Sequence, residues 1–345
     1  MVQKKRNYKA MAKIGALSVP FALMATACSN GGAAEGGDEQ ITLSFSTIYT
    51  PESPIISCGY DALENNQGLE DSGISLNLTH SSQLGSENEL MEQVSSGQID
   101  IALSTGSTLS TVFGMTDMEM YDTFFLYEDL EQYNHVLQTD VAQDMWSEVD
   151  EVAGVQVVGG PWLYGERHMF GNTPIRTIDD FEGIRARTTP VDIYVDSLEA
   201  LGADPTTTAY DEIYMALQQG IFDVGEAPLS IIKTDSFDEP SDYVSLTGHL
   251  LTGLPPVINS NTLESLSDDQ QSALTEAFDE GSEAVAECLE ADDEAALEEW
   301  ENSDSIEVIH DVDIEPMREA VRESYTSDYP WSDAYQELLD EMESM

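Results

Sequence analysis

Hydrophobic and polar residues alternate from Ile41 to Thr47, with Ile41, Leu43 and Phe45 on one side and Thr42, Ser44 and Ser46 on the other. A two-residue period predicts a first strand. A short helix is expected after Pro54, and Ile74 to Leu78 alternates again as a second strand. Ser86-Glu87-Asn88-Glu89 has the form of a capping box, a hydroxyl at the N-cap and a carboxylate three residues on. Its helix turns Leu90, Met91 and Val94 inward and stops at Gly97. Ile99 to Leu103 then reads as a compact buried strand. Strands alternating with helices predict parallel sheets joined by crossovers.

The same device recurs. Thr208-Ala209-Tyr210-Asp211 is expected to open a second helix in the same fashion, with Ile213, Tyr214 and Leu217 inside and Gly220 at its end. In both places an aspartate follows the glycine by three residues, as Gly97-Gln98-Ile99-Asp100 and Gly220-Ile221-Phe222-Asp223. This predicts one structural unit used twice. A third box, Ser267-Asp268-Asp269-Gln270, opens a helical pattern that continues to Trp300, roughly 50 Å of helix at about 1.5 Å per residue. Further helices are expected around Met317 to Val321 and Tyr335 to Met342.

The N-terminus follows none of these periods. Lys4, Lys5, Arg6, Lys9 and Lys13 precede an uncharged, largely apolar run from Ile14 to Ala27, which ends in Ala25-Thr26-Ala27-Cys28. Positive flank, short apolar centre and small residues form a secretory signal, here 1–27. The run is shorter than the ~20 residues of a spanning helix. Small residues directly before Cys28 resemble a bacterial lipobox, which implies lipidation of Cys28 and a lipid anchor in the membrane. Residues 28–39 are small or acidic and read as a flexible tether.

Charge then restricts the partners. Of 12 basic residues five lie in the leader, so seven face all 67 acidic residues in the mature chain, a formal charge of −60. Nucleic acid is excluded, because its phosphates need a basic footprint. Such acidity with almost no lysine points to a saline or alkaline habitat, where salt screens self-repulsion. About 305 residues follow the tether, enough for two lobes. Cys58 and Cys288 either bridge, as an exported compartment permits, or stay as thiols, since Cys288 lies on the apolar stripe of the long helix.

The scarce cations are the informative residues. Arg167, Arg176, Arg185 and Arg187, four of the mature seven, fall within one short stretch. Arginine offers a planar, permanently charged fork that matches a carboxylate. Arg176 and Arg185 are expected to pair with nearby acids at the surface, among Glu166, Asp179, Asp180 and Glu182. Arg185 alternates with Arg187 on a predicted strand.

From about Ile41 onward the chain resembles the solute-binding receptors of tripartite ATP-independent periplasmic (TRAP) transporters. The similar stretches are Ser82-Gln83-Leu84-Gly85-Ser86, the helix to Gly97-Gln98-Ile99-Asp100, and Ile178-Asp179-Asp180-Phe181-Glu182-Gly183-Ile184-Arg185-Ala186-Arg187. They continue through Leu201-Gly202-Ala203-Asp204-Pro205 and the segment from Tyr210 to Gly220. The resemblance implies an α/β, two-lobed, periplasmic-binding-protein-like fold with a hinged cleft and a long helix spanning both lobes. It places lobe one at 40–164 and 253–292, and lobe two at 165–252 and 293–345. It implies a monomer that captures a small organic acid without a cofactor and serves integral-membrane TRAP transporter subunits. Arg187 falls at the family's carboxylate-pairing arginine, Gly165-Glu166-Arg167 at its second arginine, and Tyr210 at a pocket aromatic. Where the family often carries asparagine before a proline, Ala227 precedes Pro228, with Glu226 beside it; this departs from the family's sugar-acid and dicarboxylate sites. Thr123 stands where the family usually has proline before the aromatic pair Phe124-Phe125.

Position adds further candidates. Thr105 and Gly106 leave the C-terminal end of a predicted strand, where open α/β sheets bind ligands. Trp162 and Tyr164 lie near the lobe crossing, and Tyr49 follows the first strand. An exported hydrolase acting on an anionic substrate, or a receptor for an ATP-driven importer or a sensor kinase, are the competing classes. Against the hydrolase, His80, His135, His168, His249 and His310 are scattered, with no zinc spacing, nucleophile elbow or phosphate loop. Asp311-x-Asp313-x-Glu315 lacks the glycine and terminal glutamate of a calcium loop and reads as a solvated face.

Overall fold

A computed structural model describes residues 40–127, 130–303 and 305–342. The signal, Cys28 and the tether lie outside the described residues. Eleven strands are seen among those residues: β1 (Ile41–Ser46), β2 (Ile74–Thr79), β3 (Ile101–Leu103), β4 (Val155–Val157), β5 (Trp162–Gly171), β6 (Arg185–Thr188), β7 (Asp204–Thr207), β8 (Val224–Pro228), β9 (Tyr243–Leu254), β10 (Pro256–Asn259) and β11 (Glu307–Ile309). They build two sheets, ordered β2-β1-β3-β10-β4 and β11-β9-β5-β8-β6-β7.

Each sheet has a parallel core, β2-β1-β3 in one and β7-β6-β8 in the other. The expectation of purely parallel sheets is corrected by β5, β9 and β10, which pair antiparallel. The reason is connectivity. The chain passes from the first sheet to the second through β5 and returns through β9 into β10, so these passages run against the crossover units. Along β5 and β9 the pairing shifts register between Leu163 and Gly165, and Gly165 has φ +114°, a conformation that favours glycine. Trp162, at the near end of β5, packs edge-on against Phe45 of β1, while Phe170, eight residues on, stacks on Phe237 beyond the second sheet.

The repeated unit forms in both sheets. Gln98 N–H reaches the carbonyl of Gln93, and Ile221 N–H that of Ala216, the same six-residue helix closure, with Gly97 at φ +71° and Gly220 at φ +66°. The following aspartate then secures the parallel neighbour strand. Asp100 Oδ2 accepts from Ser44 N (2.8 Å) and Oγ (2.7 Å) of β1, and Asp223 Oδ2 accepts from Arg185 N and Nε of β6, both at 3.0 Å.

Ser86 and Ser267 both form complete capping boxes. The box expected at Thr208 does not form. A short 3₁₀ turn, Tyr210–Glu212, starts at Ala209 without a side-chain cap, and the helix Ile213–Gln218 follows it. The box at Ser267 opens the helix Asp268–Glu301, which runs along both sheets. Its first half takes Trp162 Nε1–H on the Phe278 carbonyl (3.0 Å), and its second half takes Ser230 N–H on Asp293 (2.7 Å) and Lys233 Nζ on Glu299 (2.6 Å). Cys58 and Cys288 are bridged, which ties the helical turn Ile55–Tyr60 to this helix.

A second core gathers segments far apart in the chain. Phe124 and Phe125, N-terminal of residue 164, share a cluster with Phe181, Tyr194, Tyr325 and Tyr335. Phe124 N–H donates to the Tyr325 hydroxyl oxygen (3.2 Å). The C-terminal helices Glu315–Tyr325 and Ser332–Met342 thereby cover this segment.

Candidate functional site

The second sheet positions the cations. Antiparallel pairing sets Arg167 of β5 opposite Pro228 and Met169 opposite Glu226 of β8, and parallel pairing sets Ala186 of β6 opposite Val224. Arg187, near the C-terminal end of β6, is therefore brought beside Glu226 and Arg167. All three are almost fully buried. Glu226 Oε2 forms an ion pair with Arg167 Nε, while its Oε1 accepts from Thr188 Oγ1 (3.2 Å) and lies 4.0 Å from Arg187 Nη1. Arg187 donates from Nε (3.1 Å) and Nη2 (2.5 Å) to the carbonyl of Thr208. Thr208 thus serves the arginine through its backbone.

Burial shapes the charges. It pulls Arg187 down to about 10, with Glu226 opposing, so the guanidinium keeps its proton at neutral pH. Burial opposes the charge of Arg167 as well, and the Glu226 carboxylate more than offsets it, holding Arg167 above the ordinary range. The Arg167 guanidinium also lies 5.3 Å and 5.6 Å from the ring centres of Tyr164 and Tyr194, favourable cation–π placements.

Two adjoining pockets meet at Arg187. The inner one is lined by Arg167, Arg187, Glu226, Tyr49, Tyr164 and Tyr210 among others, and holds about 20 Å³, room for roughly one water. The outer one holds about 300 Å³ between the loop at Ser82–Asn88 and the segments 187–191 and 207–212. Arg187, Tyr210, Glu87, Thr108, Thr189 and Ile48 line both. In this conformation the inner chamber is closed down, and a ligand larger than water reaches it only if the cleft widens.

Of the residues expected at the site, Arg187, Arg167, Tyr210, Glu226, Ala227, Thr105, Tyr164 and Tyr49 all line the inner pocket. Tyr49 contacts the rings of Tyr164 and Tyr210 at 5.3 and 5.6 Å. Thr105 caps the helix Gly106–Phe113. Two residues fall elsewhere. Trp162 is fully buried against Phe45 and Phe278, its indole N–H already given to the Phe278 carbonyl. Gly106 is packed against the turn at Met118, whose carbonyl a Cβ would approach to 3.1 Å.

Arg185 and Arg176 pair with acids, though with other acids than expected: Arg185 with Asp223, and Arg176 with Glu307 and Asp311. His168 accepts from Gly248 N–H at Nδ1 (3.0 Å), and its Nε2 lies 3.5 Å from Glu166. Among the described residues, no histidine or cysteine lines either pocket.

Sequence reasoning missed Glu87. It is the first residue inside the capping box at Ser86, where an acid normally stabilises the helix start. Here its Oε1 accepts from Thr105 N (3.2 Å) and Thr108 Oγ1 (2.8 Å), so the side chain points into the cleft. Burial pushes its carboxyl above the ordinary range, partly offset by those two hydrogen bonds and by Arg167. Across the cleft, Thr50 Oγ1 donates to Asp235 (2.7 Å), which also accepts from the Tyr210 hydroxyl. Tyr194 was missed too; no local pattern distinguishes it from a core tyrosine.

Two sheets, one long helix along both and a cleft floored by arginines define a two-lobed solute-binding receptor. The family model "Bacterial extracellular solute-binding protein, family 7" matches residues 68–329, and the chain belongs to that family, the receptors of TRAP transporters. A solute-binding protein of Roseobacter denitrificans is 29% identical over 61% of this chain and 63% of its own length. The sialic acid-binding periplasmic protein SiaP of Vibrio cholerae is 26% identical over 77% of this chain and 80% of its own. A TRAP periplasmic solute-binding protein from Ochrobacterium anthropi, solved with bound L-fuconate, superposes with a TM-score of 0.80 at 25% identity, covering 88% of this chain and 99% of that one.

Proposed function

We propose that this protein captures a small organic acid outside the cytoplasm and hands it to the membrane subunits of a TRAP transporter. The observation that carries this reading is Arg187: a buried cation at the junction of both pockets whose Nη1 makes no closer contact than 4.0 Å to Glu226. A carboxylate placed there completes the fork. Arg167 assists from beneath. That the Vibrio cholerae relative is named for sialic acid, and that the Ochrobacterium anthropi neighbour was solved with L-fuconate, supports an acid as the ligand.

Lobe one comprises 40–164 and 253–292, and lobe two 165–252 and 293–345. The ligand enters the open cleft and the lobes close on it by hinge motion, because contacts from both lobes exist only in the closed state. The protein acts as a monomer, tethered by a lipid on Cys28, and releases its ligand unchanged. A thermal-shift screen of organic acids in high salt, followed by mass spectrometry of the recovered ligand, tests this. A stoichiometric complex with intact acid is expected; turnover of the acid would turn the reading toward a hydrolase.

A further inference from the structure

The inner pocket holds as many acids as cations. Its lining carries two arginines, Arg167 and Arg187, and two glutamates, Glu226 and Glu87. Glu226 is committed to the arginines. Glu87 is not: both of its hydrogen bonds fall on Oε1, and among the described residues nothing donates to Oε2. A ligand bearing only a carboxylate would leave this site with a surplus negative charge. The rest of the wall, tyrosines, the threonines Thr105, Thr108 and Thr189, and the apolar Ile48, Ile213, Phe237 and Leu254, brings no further cation, and an uncompensated charge in such a setting is costly.

We propose that the ligand is a zwitterion, with its carboxylate on Arg187 and a cationic group on the free oxygen of Glu87. Both residues line both pockets, so the two charged ends of one small molecule reach them together. The rings of Tyr49 and Tyr210, edge-to-face at 5.6 Å beside this position, offer the cationic group an aromatic face. The proposal rests on the carboxylate reading above and adds the second charge.

Matched probes separate the two. Glycine betaine, L-proline and L-leucine are compared by calorimetry with 3,3-dimethylbutanoate, cyclopentanecarboxylate and 4-methylpentanoate, which keep the shape and carboxylate and lack the positive charge. At least one zwitterion is expected to bind tenfold or more tightly than its counterpart. Glu87→Gln, checked for an unchanged melting temperature, is expected to abolish that preference, and Arg187→Ala to abolish binding of both. If no zwitterion binds, or if Glu87→Gln leaves the preference intact, the zwitterion is wrong while a plain carboxylate ligand stands. Binding that survives Arg187→Ala overturns the carboxylate reading itself.

Discussion

Arg167 and Glu226 form an ion pair almost wholly withdrawn from water, their side chains 5% and 1% exposed. Removing one member of such a pair leaves the desolvation cost of the other uncompensated. Glu226→Gln is therefore expected to destabilise the protein by about 3–5 kcal/mol, read as the shift in a urea unfolding curve. Replacing both, as Arg167→Met with Glu226→Leu, is expected to regain most of that loss. A single variant as stable as the wild type would show that the pair is not a unit.

The Cys58–Cys288 bridge closes a loop of 230 residues in sequence separation. On the chain-entropy account its loss costs about 5 kcal/mol. The double variant Cys58→Ser/Cys288→Ser is expected to melt well below the wild type, and reductant to lower the wild type but leave the variant unmoved. Equal melting temperatures under oxidising and reducing conditions would contradict the bridge's role.

His168 supplies a pH dependence. Burial lowers it to about 4, and its acceptance of the Gly248 N–H at Nδ1 holds the neutral ring. The unfolded chain has the ordinary value near 6.5, so between about 4 and 6.5 the unfolded state binds the extra proton. The stabilising contribution is complete above pH 6.5 and is lost as pH falls toward 4, on the order of 3 kcal/mol across the window. His168→Gln is expected to remove that part of the acid slope in unfolding curves measured from pH 7 to 4. An unchanged slope would assign it to other groups.

Much of this was legible in the sequence because the signals are local. The boxes at Ser86 and Ser267 and the paired Gly97–Asp100 and Gly220–Asp223 units are set by residues three positions apart, and all four form. Thr208 failed as a cap because its segment is drawn toward Arg187, a tertiary demand that no local window contains. Antiparallel β5 and β9 were missed for a similar reason: alternation sets a strand's faces, and its direction follows from how the chain crosses between sheets. Position relative to strand ends pointed to Tyr49, Tyr164 and Thr105, which line the inner pocket, and to Trp162, whose apolar bulk is used in the core. Glu87 was hidden by its own motif, one acid among 67 and at a place where acids are ordinary.

The excess of 67 acidic over 12 basic residues predicts a stability that rises with salt. At about 1 M salt the screening length falls to roughly 3 Å, shorter than the spacing of most surface charges. The melting temperature is expected to climb steadily from dilute buffer to molar potassium chloride. A salt-independent value would mean that the surface acids do not strain the fold.

Capture depends on Arg187, which lines both pockets. Calorimetry of Arg187→Ala against the carboxylate ligand found for the wild type, with circular dichroism as the check on folding, tests it most directly. Loss of measurable binding in a folded variant is the predicted result. An affinity equal to the wild type's would contradict the account, because the junction of the two pockets would then not be where the carboxylate is held.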